Sequence, residues 1–182
     1  MILQDIINII ESVAPLSYQE SWDNSGLQVG DRNAEVHAAL LTVDVTESVV
    51  DEAIEKHCDL IISHHPLIFR GLKQITGSTT QERCIEKAIR HNIAIYSSHT
   101  SMDVYLHGVS GKIADKLDII NYHILCPTTD DNVGLGVIGE LKTPMKSDDF
   151  IHFVQNIFDC SLRYIKPCDE NITTVAICGG AG

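Results

Sequence analysis

No stretch of the 182 residues approaches the roughly 18 consecutive apolar positions that a membrane-crossing helix requires, so no transmembrane span is expected. The opening MILQDIINIIESV contains no Lys or Arg and carries acids inside its apolar pattern, which argues against a secretory signal. Six cysteines, at 58, 84, 126, 160, 168 and 178, include no Cys-x-x-Cys pair and lack zinc-site spacing. They read as small buried thiols in a reduced, cytoplasmic protein, where the sequon at Asn171 carries no meaning. A GxxxxGK[ST] phosphate loop and a GxSxG nucleophile elbow are both missing. Positive charge is scarce: 13 Lys and Arg stand against 25 Asp and Glu, for a net charge of −12. The basic residues are dispersed, which disfavours nonspecific nucleic-acid binding and anionic membrane surfaces. A phosphate-bearing small ligand stays compatible with that charge, because a bound cation inverts the local field.

What is present is a rhythm of short apolar strands and amphipathic helices. Ile2, Ile6, Ile9, Ile10 and Val13 fall at helical spacing, and Pro15 closes the pattern. A polar loop, SWDNSGLQVGDRN, follows. AALLTVDVT reads as a buried strand and TESVVDEAIEKH as a helix capped by Thr46. CDLIIS is a second strand. STTQERCIEKAIRHN is a helix with a capping-box pattern at Thr79 and Glu82. IAIYSS is a third strand and GVSGKIADKLD a third helix. No internal repeat stands out. The alternation predicts an α/β fold with a mostly parallel or mixed sheet layered with helices. The turn-rich CPTTDDNVG suggests a division into two interlinked lobes, residues 1–125 and 126–182. In the second lobe GVIGEL, KSDDFIHFVQNIFD, SLRYIK and TTVAICGG read as strand, helix, strand, strand. The last runs into a glycine-rich turn that ordinarily feeds a covering helix, so this lobe is expected to be incomplete.

In a parallel α/β sheet, functional groups gather beyond the carboxyl ends of the strands. Three strand ends here carry polar residues: Asp44, then Ser63-His64-His65, then the segment from His99 to Asp103. Neighbouring side chains on a regular strand point to opposite faces, so His64 and His65 share a site only if the backbone leaves the strand between them. Pro66 favours that by restricting His65. Two adjacent imidazoles could serve two metal ions, with a carboxylate such as Asp103 bridging, a donor set suited to zinc, iron, manganese or nickel. A histidine at a strand end can equally be a capped or solvent-facing residue, and Asp44 before a helix can equally be a cap. His37, His57, His91, His107, His123 and His152 read as surface or structural. The turn around Asn24-Ser25-Gly26 reads as no more than a turn.

WDNSGLQVG (22–30), DLIISHHPLIF (59–69), HTSMD (99–103) and AICGGAG (176–182) occur in an order, and over a span of the chain, that together resemble the Nif-three-like family, also known as GTP cyclohydrolase I type 2 homologues. The resemblance implies a toroidal homo-hexamer, a trimer of dimers, with two divalent metal ions per complete subunit facing an interior cavity. It places metal ligands at His64, His65 and Asp103, the last bridging, and makes His99 a proton shuttle or an outer partner of the site. It also implies a further His and Glu from a segment beyond the GGAG turn. A chain ending at residue 182 is therefore expected to bind metal weakly and to be a poor catalyst. After Asp103 the sequence VYLHGVS departs from the family's small, glycine-paired stretch, with bulkier Tyr105 and His107, and Ser110 where Asn is usual. That bears on pocket shape more than on the metal.

Three functions follow as expectations. The first is a metal-dependent hydrolase of a nucleotide-like or other small substrate, with His99 moving a proton in the range where imidazoles titrate. The second is a non-enzymatic, metal-dependent assembly or regulatory protein. The third is a phosphoesterase of the Asp-His-His type, against which Ser63 stands where an Asp would precede the histidine pair.

Overall fold

The computed structural model describes residues 1–128, 132–165 and 171–180. The chain divides into two compact units, Met1–Met102 and Asp103–Gly182.

The first unit is built on a four-stranded sheet. After helix α1 (Leu3–Val13), which ends before Pro15 as expected, come β1 (Gly26–Val29), β2 (Ala39–Thr42), α2 (Glu47–Glu55), β3 (Leu60–Ser63), α3 (Thr80–Arg90) and β4 (Ala94–Ser97). The order is β1-β4-β3-β2. β2, β3 and β4 are parallel, and β1 joins β4 antiparallel. Alternation along the strands divides the core. Ile61 and Ile95 face Val50, Ala53, Cys84 and Ala88 of α2 and α3. Leu60, Ala94 and Tyr96 face Leu3 and Ile7 of α1. Each such buried aliphatic side chain contributes on the order of 2 kcal/mol. Thr46 caps α2 by accepting from the Val49 N–H, and Thr79 caps α3 by accepting from Glu82 N–H. The expected capping box forms only in part. Glu82 reaches past Thr79 to the backbone N–H groups of Thr76 and Ser78, tying down the end of the loop before α3.

One feature departs from expectation here. WDNSGLQVG is not loop throughout, because its second half is β1. A strand of only four residues, opened by a glycine and irregular in register between Leu27 and Val29, gives little signal, and its partner lies far along the chain. Gly30 ends β1 at φ 122°, and a Cβ there would lie 2.7 Å from the Cβ of Ala94, so only glycine permits β1 to close on β4.

The second unit follows the short helix α4 (Thr100–Asp103) with α5 (Val109–Lys116), β5 (Ile119–Pro127), β6 (Gly134–Lys146), α6 (Ser147–Phe158) and β7 (Asn171–Ile177). Its sheet is antiparallel throughout, order β5-β6-β7. Ala114, Leu117, Ile119, Ile124, Val137, Leu141 and Ile177 form its core. β5 went unread in the sequence because a bulge between Ile120 and His123 breaks its period. The change of composition near Cys126 falls within β5, where Pro127 pairs with Gly134, whereas the compact units divide at Met102 and Asp103. The expected strand SLRYIK is absent from residues 161–165, where Tyr164 and Ile165 are exposed, and Lys166 lies outside the described residues. Gly179 and Gly180 of the glycine-rich turn are described; Ala181 and Gly182 are not. Gly179 donates its N–H to Ser110 Oγ at 3.1 Å, which gives that buried serine a structural task. The thiols are less uniformly buried than expected. Cys58 and Cys84 are in the core, Cys126, Cys160 and Cys178 are exposed, and Cys168 lies outside the described residues.

Candidate metal centre

β3 and β4 end in register at Ser63 and Ser97, both fully buried. Ser63 Oγ donates to the carbonyl of His65, and Ser97 Oγ donates to the carbonyl of His64, each at 2.8 Å. The backbone bends at His64 and His65, while their N–H groups still donate to Thr42 and Val43 of the neighbouring segment. The two buried hydroxyls thus hold a turn that a regular strand would not make. Its result is that adjacent imidazoles lie on one side, ring centroids 5.0 Å apart. His99, two residues beyond β4 as His65 is two beyond β3, completes a triangle at 5.2 Å from His64 and 5.5 Å from His65.

Each ring is oriented through its Nδ1. His64 Nδ1 lies 3.0 Å from the carbonyl oxygen of Ser98, which can only accept. His65 Nδ1 lies 2.7 Å from Asp44 Oδ1, and His99 Nδ1 lies 2.8 Å from Asp23 Oδ1. In the neutral rings all three protons therefore sit on Nδ1, which makes Nε2 the lone-pair nitrogen in each. This is the arrangement by which outer carboxylates and carbonyls orient metal-binding histidines. His64, His65 and His99 offer ligand atoms that all lie within 4.8 Å of one another. Nitrogens around a tetrahedral zinc sit roughly 3.3 Å apart, so modest ring rotations close this set on one cation. The residues fit a metal ion both in donor type and in orientation.

The two outer carboxylates differ. The Asp44 and His65 side chains are 65% and 49% exposed, whereas Asp23 and His99 are 0% and 16% exposed. Burial opposes ionisation of Asp23, but hydrogen bonds from His99, Thr100, Ser25 and the Asn24 N–H outweigh it and lower its pKa to about 2. Those donors are Asn24 N and His99 Nδ1 on Oδ1, and Ser25 Oγ, Thr100 N and Thr100 Oγ on Oδ2.

Of the residues expected at the site, His64, His65 and His99 come together in the first unit. Asp103 is the last residue of α4 and the first of the second unit, where a Cβ on Gly180 would lie 4.0 Å from its Oδ2. Asp44 does not cap α2, a task taken by Thr46, and instead orients His65. Asp23 was read only as part of a turn. Its one sequence signal is a carboxylate followed at once by Asn, Ser and Gly, in a loop too polar for its length.

The profile of the Duf34/NIF3 (NGG1p interacting factor 3) family matches residues 1–182. A GTP cyclohydrolase 1 type 2 homolog of Clostridium acetobutylicum is 38% identical over 183 residues, covering 99% of this chain and 68% of the relative. The homolog of the same name in Bacillus subtilis is 44% identical over 128 residues, which span 34% of its length. Among solved structures, Staphylococcus aureus protein SA1388 superposes with a TM-score of 0.90 at 30% identity, over all of this chain and 73% of that one.

Proposed function

Because the chain belongs to the Duf34/NIF3 family, we propose that it is a dinuclear-metal-dependent hydrolase. Its substrate would be nucleotide-like or another small molecule, its site the imidazole cluster. The observation that carries the reading is the common orientation of His64, His65 and His99, each holding Nδ1–H against an acceptor and Nε2 as the lone-pair nitrogen. A bound divalent cation (zinc, iron, manganese or nickel) would supply a Lewis acid and a hydroxide source near neutral pH. Asp23 and Asp44 fix ring tautomers, and the Ser63 and Ser97 hydroxyls hold the turn. His99 either completes the ligand set or moves a proton at its Nε2. Asp103 belongs to the reading as a bridging ligand by family resemblance. So do a homo-hexameric, trimer-of-dimers assembly and a cytoplasmic setting. Among the described residues no helix is long and apolar enough to cross a membrane.

Ser63, whose hydroxyl is committed to the His65 carbonyl, stands where an Asp-His-His phosphoesterase would carry its carboxylate, which speaks against that reading. The test is calorimetry with zinc and manganese on the metal-free protein, joined to a nucleotide hydrolysis screen. Chelator-reversible binding that is lost in His64→Ala and weakened in Asp103→Ala is expected. Binding untouched by His64→Ala and His65→Ala would overturn the site. Intact binding without turnover of any nucleotide, in a form extended past residue 182, would favour a non-enzymatic assembly.

A further inference from the structure

Beside the imidazoles, two large aromatic side chains are left exposed yet held in position. Trp22 is 58% and Phe69 44% exposed. Their ring centroids lie 5.9 Å apart with planes at 55°, and the indole meets the His99 ring edge-on at 6.2 Å. Trp22 directly precedes Asp23, the most heavily hydrogen-bonded carboxylate of the site. Phe69 directly follows Ile68, whose N–H donates to Gln28 Oε1 at 2.8 Å and whose carbonyl accepts from Asn24 Nδ2 at 2.6 Å. Gln28 Nε2 in turn donates to the Asn24 carbonyl. The segment entering β1 and the loop leaving β3 are thus tied together next to the two rings. Neither ring belongs to a hydrophobic cluster among the described residues. Exposed aromatic surface flanked by polar struts, and in edge contact with His99, is suited to receive a flat ring.

We propose that Trp22 and Phe69 form a stacking subsite for the flat heteroaromatic ring of a single small molecule of the nucleobase class, placing an edge of that ring toward His99. The inference deepens the substrate reading above and rests on it for the chemistry the ring would meet. The rings supply π-faces that accept any nucleobase, while the net charge of −12 works against a polyanionic strand. A mononucleoside or mononucleotide carries the ring with little or no such charge.

Trp22 is the only tryptophan of the chain, so its fluorescence reads the subsite directly. Guanosine would be titrated with excitation at the red edge of the indole band, against ribose 5-phosphate and a short oligothymidylate, with and without zinc. Saturable quenching by guanosine and none by ribose 5-phosphate is expected. Phe69→Ala should weaken guanosine binding about tenfold and Phe69→Tyr should preserve it, a span set by the usual strength of base–aromatic stacking. Circular dichroism checks that each variant is folded, and calorimetry of Trp22→Leu gives a second, fluorescence-free arm with the same expected loss. Absence of saturable quenching, equal quenching by ribose 5-phosphate, or unchanged affinity in both Phe69→Ala and Trp22→Leu overturns the proposal. Tighter binding of the oligothymidylate than of guanosine overturns its small-molecule assignment. The two readings fail separately. Zinc binding without guanosine stacking sinks this subsite and leaves the metal centre, whereas Phe69-dependent stacking without zinc binding does the reverse.

Discussion

Asp23 carries more of the site than any histidine does. Its buried carboxylate unites the turn before β1 with His99 and Thr100 across separations of 76 and 77 positions. Its folded pKa of about 2 lies below the ordinary 3.8, so the stability it contributes is fully present above about pH 4 and is lost as pH falls toward 2. A shift of that size corresponds to about 2 kcal/mol. In chelator-treated protein, Asp23→Asn should lower the unfolding free energy by about that amount at pH 7, and the deficit should shrink steadily between pH 4 and pH 2. Urea titrations across that range measure it, and a deficit independent of pH would mean that the carboxylate's charge is not what matters. The histidines stood out in the sequence because an adjacent pair closes one apolar strand and another histidine closes the next, a pattern less easily read as isolated caps. Asp23 and the orienting role of Asp44 were not legible. A carboxylate's partner is set by which loops the fold brings together, and Asp in a polar turn is locally indistinguishable from any turn residue.

Helices and parallel strands were readable for a similar reason: α1, α2, α3, α5 and α6 have apolar faces at helical spacing, and β2, β3 and β4 are short apolar runs between them. The misses share a cause. β1 is short and irregular in register, β5 is bulged, and at 161–165 Tyr164 and Ile165 stay exposed among the described residues. One of them, β1, also shapes the site's surroundings, since β1 and the turn before it hold Gln28, Asn24 and Trp22. Gln28→Ala should therefore speed hydrogen exchange of the Ile68 amide about tenfold while costing global stability only about 1 kcal/mol, the usual value of one such hydrogen bond. Exchange followed by mass spectrometry or NMR checks this. Unchanged exchange at Ile68 would show that the loop after β3 is positioned by something other than this strut.

Across the whole chain, two cores stabilise two units separately, one layered on both faces of the mixed sheet and one against the antiparallel sheet. The turn-rich sequence near Cys126 lies where β5 and β6 pair, and turn-rich sequence marks both linkers and strand-to-strand connections. Zinc linkage can tell whether the candidate centre draws on both units. Saturating zinc at about 100 times its dissociation constant adds roughly 2.7 kcal/mol to whatever binds it. With Asp103 in the ligand set, zinc should slow amide exchange at His64, His65 and His99 and also around Asp103. Protection confined to residues 1–102 would remove Asp103 from the ligand set and leave an all-imidazole site.

The unequal exposure of the two outer carboxylates has a kinetic consequence. If His99 completes the ligand set, its fully buried Asp23 makes it the anchored donor, while His65, backed by a solvent-facing Asp44, can swing away at little cost. A cation held there would be labile on one side only. Its residence time would be governed by the His65 arm, and incoming chelators, or an incoming substrate, would meet it along that open flank.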